Sequence, residues 1–168
     1  MLWRCAQHLF HSYGWLRLQC GDTAAALAYA DECLHLATAT NSTKNIVKAR
    51  RLRGEAFLRL GDVSSAAAQL GIALEVARRL QNPPQLYRTL VSVGDLHDRK
   101  RQSTAARRAY GNALAVVARV AGGLEDPRLR QTFLNSSEIL RIQQFAGSAA
   151  PVRPLNVAPS DPKLNDGG

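Results

Sequence analysis

The chain has 168 residues, 46% of them hydrophobic and only 6% aromatic, with a formal net charge of +9. That length fits one domain, and that composition excludes a disordered polar chain but not a core of alanine and leucine in close-packed helices. The charge, most of it arginine, suits acidic partners, nucleic acid or an anionic surface and does not choose among them. No run approaches the roughly 18 apolar residues of a membrane span. His8, His11 and Arg17 interrupt any signal-peptide core, so the expected location is cytoplasmic. Cys5, Cys20 and Cys33 lack metal-finger spacing and are expected as small buried thiols in a reducing compartment.

In chain order, the first expected unit covers residues 2–40. It has a joint at Gly21-Asp22, where glycine can end one helix in the left-handed conformation and aspartate can cap the next. The second, 41–81, opens at Asn41-Ser42-Thr43. Ile46, Ala49, Leu52, Ala56 and Leu60 follow at helical spacing, then Gly61-Asp62, then Ala66, Leu70, Ala73, Leu74, Ala77 and Leu80. The third, 82–121, opens at Asn82-Pro83, with a cap and a proline in the first turn; its joint is the less typical Arg101-Gln102-Ser103. Gly122-Gly123 breaks the chain, and Asp126-Pro127 starts one terminal helix over 126–146, carried by Leu129, Phe133, Leu140 and Ile142. From Gly147 there are four prolines, three glycines and no aromatic, so 147–168 reads as a disordered tail. The map is therefore seven helices and a tail, without strands, and residues 1–146 form the domain.

The units repeat with a step of 40 residues. Gly14, Gly54 and Gly94 keep it; so do Ala26, Ala66 and Ala106, and Leu34, Leu74 and Leu114. A fixed period of this size marks a stack of supersecondary units, each too small to bury its apolar face alone. Within each unit a small residue is followed at twelve, sixteen and nineteen positions by alanine, a further residue and a small one. These are Gly14, Ala26, Ala30, Cys33; Gly54, Ala66, Leu70, Ala73; and Gly94, Ala106, Tyr110, Ala113. Over about residues 10–118 this resembles the tetratricopeptide repeat, in a long-helix variety like that of large bacterial regulators and signalling ATPases. The usual period is about 34. The family's aromatic positions are kept only by Phe10 in one column and Phe57 in another, and the leucine before each glycine is Tyr13, Arg53 and Val93.

The resemblance implies an all-α superhelical stack of three antiparallel helical hairpins plus a C-terminal helix, whose first helices line a concave groove for an extended peptide. Carried over residue by residue, the groove positions are His8, His11, Trp15, Leu18 and Gln19; Lys48, Arg51, Glu55, Leu58 and Arg59; and Arg88, Val91, Asp95, Asp98 and Arg99. The mildly basic middle of this set suits an acidic peptide or protein, with Arg51, Arg59 and Arg99 as the main charged contacts. Trp15, Glu55 and Asp95 stand where a carboxylate clamp would need asparagine, so that specificity is not implied.

No constellation for catalysis is found, and neither enzyme activity nor a cofactor is expected. Cys5, His8 and His11 share a helical face without a carboxylate to complete a metal set. The three repeat glycines lie inside helices and not in phosphate loops. Arg99-Lys100-Arg101, with Arg107-Arg108, could touch phosphates but lacks interleaved aromatics, which makes it a solvated junction before a nucleic-acid site. The reading is a protein-interaction scaffold. Its rivals are a regulatory fragment of a larger bacterial signalling ATPase, cyclase or transcriptional regulator, and a nucleic-acid binder. Leu2, Trp3, Phe10 and Trp15 give the first helix an apolar edge open to self-association.

Overall fold

A computed structural model describes the backbone of residues 2–147 and the side chains of residues 5–147. The tail expected after Gly147, and the side chains of Leu2 and Trp3, lie outside the described residues. Those described form eight helices and no strand: α1 (Leu2–Gln19), α2 (Thr23–Ala39), α3 (Thr43–Leu60), α4 (Val63–Leu80), α5 (Pro83–Arg99), α6 (Ser103–Gly122), α7 (Pro127–Leu134) and α8 (Ser137–Gly147).

The joints show a finer period than the sequence suggests. Gly21, Asn41, Gly61, Gln81 and Arg101 all have positive φ, from 51° to 83°, and they follow one another every twenty residues. At Gly21 and Gly61 the missing Cβ makes this conformation cheap. Asn41, Gln81 and Arg101 adopt it without that help. Four joints close with the same pair of bonds: Asp22, Ser42, Asp62 and Gln102 donate backbone N–H to Arg17, Ala37, Phe57 and His97, and Gly21, Asn41, Gly61 and Arg101 donate to Leu18, Thr38, Leu58 and Asp98. This is the Schellman closure, which satisfies carbonyls left over at a helix end. The Arg101 joint is therefore the equal of the glycine joints. Asp22, Asp62 and Asn82 then cap the next helix through bonds to the N–H of Ala25, Ser65 and Gln85.

Helices of 17–20 residues and similar joints make hairpins α1–α2, α3–α4 and α5–α6, which stack in chain order, α2 on α3 and α4 on α5. Ala26, Ala66 and Ala106 are all buried. The repeat glycines leave a gap on each first helix, and different residues fill it. A Cβ on Gly54 would lie 2.5 Å from Leu70 Cγ, and one on Gly94 would collide with the Tyr110 ring. In the first unit the equivalent residue is only Ala30, and Leu52 of the next unit fills the gap, 2.7 Å from a Cβ on Gly14. Buried amides fix register between hairpins: Asn45 Nδ2 donates to Gln7 Oε1 at 2.5 Å, and Arg51 Nη1 donates to Gln85 Oε1 at 3.1 Å.

Two expectations change. The terminal helix breaks at Asn135-Ser136, where the N–H of Asn135 turns back to Gln131 and that of Ser136 to Phe133. A straight helix would aim Leu129, Phe133 and Leu140 at one face and turn Ile142 to the opposite side. The break re-aims α8, so that Ile139 and Ile142 enter the core with Tyr87, Leu90, Val116 and Val117, while Leu129 and Leu140 stay exposed. Of the cysteines only Cys33 is buried; it donates Sγ–H to Gln7 O, and burial raises its thiol pKa to about 11. Cys5 and Cys20 are exposed near the two ends of α1. No described helix is long and apolar enough to cross a membrane.

Candidate interaction groove

Because the first helices stack in register, residues 40 apart form rows across α1, α3 and α5. The rows run His8, Lys48, Arg88; His11, Arg51, Val91; Trp15, Glu55, Asp95; Leu18, Leu58, Asp98; and Gln19, Arg59, Arg99. The structure gathers all of these except His8 and Lys48 around one concavity of about 950 Å³. His8 and Lys48 stand beside each other, Nδ1 and Nζ 3.4 Å apart. The wall opposite was not foreseen: Tyr110 of α6, and Ser137, Glu138, Arg141, Ile142 and Phe145 of α8. Their spacing along α8 was legible as a second helical face. What hid it was the assumption of one unbroken terminal helix.

The acids of the groove are engaged internally. Glu138 accepts two bonds from Arg88, at 2.7 and 2.9 Å, and one from the Tyr87 hydroxyl. Glu55 accepts from Ser92 Oγ at 2.6 Å and lies 3.6 Å from Arg51 Nε. Tyr110 Oη lies 2.8 Å from Asp95 and 2.9 Å from Asp98. One hydroxyl proton cannot serve two carboxylates at once. Burial, the larger influence, raises the pKa of the Asp95 carboxyl against the opposing pull of the Tyr110 hydroxyl.

The bases divide differently. Arg51, expected as a principal contact, is only 6% exposed and its guanidinium is held by Gln85 and Glu55. Arg59 and Arg99 are exposed at one rim; Arg59 donates to Leu18 O, and among the described residues neither has a carboxylate partner. Lys48, half-buried at the other edge, also has none there. His11 sits between these cations. Burial first, then the charges of Arg51 and Lys48, lower its pKa to about 3, so the ring is neutral at pH 7. The groove therefore presents unpaired positive charge at the Arg59–Arg99 rim, with Lys48 just outside the concavity, over a floor whose negative charge is already bonded.

Among the described residues no three His, Cys, Asp or Glu side chains converge to hold a metal ion. Lys100 and Arg101 of the basic run are exposed in the α5–α6 joint, and Arg107 and Arg108 follow on the exposed side of α6. No protein-family model matches the chain, and no curated protein sequence matches it significantly.

Proposed function

We propose that this chain is a tetratricopeptide-like interaction scaffold that holds an extended acidic segment of another protein in its concave groove. One observation carries the reading. The groove's carboxylates are bonded within the protein, whereas Arg59 and Arg99 at its rim pair with no carboxylate among the described residues. A free carboxylate arriving from outside gains charge-assisted hydrogen bonds without displacing an existing pair. The half-exposed Trp15 and the partly exposed Val91 offer apolar contact to the segment's backbone and small side chains, over a floor in which Leu18 and Leu58 are buried.

The test uses a fluorescently labelled acidic peptide, its basic counterpart and a short duplex RNA, each titrated with the full chain over a salt series. The reading expects saturable binding of the acidic peptide alone, with a quench of Trp15, which lies in the groove. Preference for the basic peptide would reverse it. RNA binding with a steep salt slope would move the function to phosphate contacts.

A further inference from the structure

Each inner junction of the stack covers one face of the incoming first helix. Ala56 of α3 packs with Ala26 and Ala30 of α2. Leu96 and Val93 of α5 pack with Ala66 and Leu70 of α4. Ala49 and Thr89 are likewise buried. In the 40-residue register, the positions on α1 that match these are Leu9, Tyr13 and Leu16. There they are 53%, 46% and 49% exposed. α1 therefore carries the apolar face of an inner helix, and no helix is described against its Leu9 and Leu16. Phe10, expected on this edge, stacks on Tyr29 of α2, which also takes one side of the half-exposed Tyr13 ring, and Trp15 turns to the groove.

The stripe has a second property. Cys5 and Cys20, both exposed, continue it at its two ends. The five residues fall within about 80° of arc at about 100° per residue. About the midpoint between Ser12 and Tyr13, Leu9 mirrors Leu16 and Cys5 mirrors Cys20. A stripe with this symmetry is complementary to itself when reversed, as an isologous two-fold contact requires. The flanking pair His8 and Arg17 mirror each other too, without a clash of full charges. Burial and then Lys48 lower the pKa of His8, and Arg17 lies 3.8 Å from Asp22.

Head-to-tail stacking is closed off. It would need a second helix with a free inner face, but α2 is covered by α3, α4 by α5, and α6 by α8. We propose that two copies of this chain pair through α1, antiparallel about a two-fold axis at Ser12–Tyr13, with Leu9 of each against Leu16 of the other. The seam from Cys5 to Cys20 spans roughly 22 Å at 1.5 Å per residue. That is shorter than a standard interface supplies, so the dimer exchanges and grows with concentration.

Cysteine trapping tests both the pairing and its direction. Oxidised glutathione is the oxidant. Each inter-copy disulfide takes two electrons and two protons from one Cys5 thiol and one Cys20 thiol, and the oxidant leaves as two molecules of reduced glutathione. Cys33 is buried and takes no part. The Cys5→Ser and Cys20→Ser proteins should each give almost no disulfide-linked dimer alone, since in the antiparallel register neither keeps a facing thiol pair. Mixed, they should trap dimer at least about ten-fold faster, a difference of about 1.4 kcal/mol in encounter free energy. Equal trapping by either protein alone overturns the antiparallel register.

A second arm uses Leu9→Lys with Leu16→Lys. Both sites are exposed, so helicity by circular dichroism should be unchanged. Sedimentation should show the dimer dissociation constant raised roughly ten-fold or more. Unchanged dimerisation would take the seam off this stripe. A wild-type chain that is monomeric at every concentration and traps nothing when mixed would overturn the pairing and leave the face to a helix of another protein.

Discussion

Two glycines within about one helix length of each other should respond to the same substitution with opposite signs. Gly54 and Gly71 both lie inside helices, α3 and α4. Replacing either by alanine removes backbone freedom from the unfolded chain and gains about 0.5–1 kcal/mol of helix propensity. At Gly71 nothing lies within 4 Å of the new methyl, so that gain is the whole effect. At Gly54 the methyl would sit 2.5 Å from Leu70 Cγ and 2.7 Å from its Cδ2. Ordinary contact begins near 3.4 Å, so Leu70 must retreat by most of an ångström. It cannot do so freely, because the clash falls on its branch point and the side chain is fully buried against Leu58, Ala66 and Leu96. Overpacking of this kind costs about 1–3 kcal/mol. Gly54→Ala is therefore expected to be destabilised by up to about 2 kcal/mol, and Gly71→Ala to be stabilised by about 0.5–1 kcal/mol. Urea unfolding of the two variants and Gly111→Ala, a second open site, measures the difference at constant slope. Equal stability of Gly54→Ala and Gly71→Ala would refute the idea that the repeat glycines make room for a wedge.

Other expectations follow the same physical lines. His11 has a pKa of about 3 in the fold against an ordinary 6.5, so the unfolded chain binds the proton first and stability falls as pH drops below 6.5. Between pH 7.5 and 5 the native chain should lose about 2 kcal/mol more than His11→Gln; parallel pH profiles would mean the ring is free to charge in place. Ala66→Leu should cost about 1–3 kcal/mol where Ala68→Leu, on the exposed side of α4, changes stability by under about 0.5 kcal/mol; equal effects would mean the helical phase is wrong. Arg59→Glu with Arg99→Glu should weaken an acidic peptide about ten-fold and flatten its salt dependence. Unchanged affinity in that double variant would place the binding surface elsewhere.

The helices and hairpin order were legible because small residues recur in register, and burial follows them: Ala26, Ala66 and Ala106 are all interior. The groove-facing rows were legible for the same reason, since one helical phase repeated three times settles which side is concave. What escaped was chemistry between units. Arg51 reads as a surface cation until Gln85, 34 residues on, is seen to hold it. Glu138 reads as part of a terminal amphipathic helix until the break at Asn135-Ser136 turns it onto Arg88. The Arg101 joint looked doubtful because a single arginine in the left-handed region carries no sequence signal; the closure around it does the same work as glycine's.

The gap over each repeat glycine also bears on how such a chain could lengthen or shorten by recombination. Joints every twenty residues mean that excising residues 42–81 would splice Asn41 to Asn82, a left-handed residue to a helix cap, with no change in chain geometry. The packing would not survive the splice so well. Gly14 depends on Leu52 of the following unit, and the residue brought to that place would be Ser92. Ala30, in its own unit, is too small to take over. The shortened stack would keep its register and acquire a hole about the size of a leucine side chain, which a compensating Ala30→Leu change is positioned to fill, as Leu70 does over Gly54.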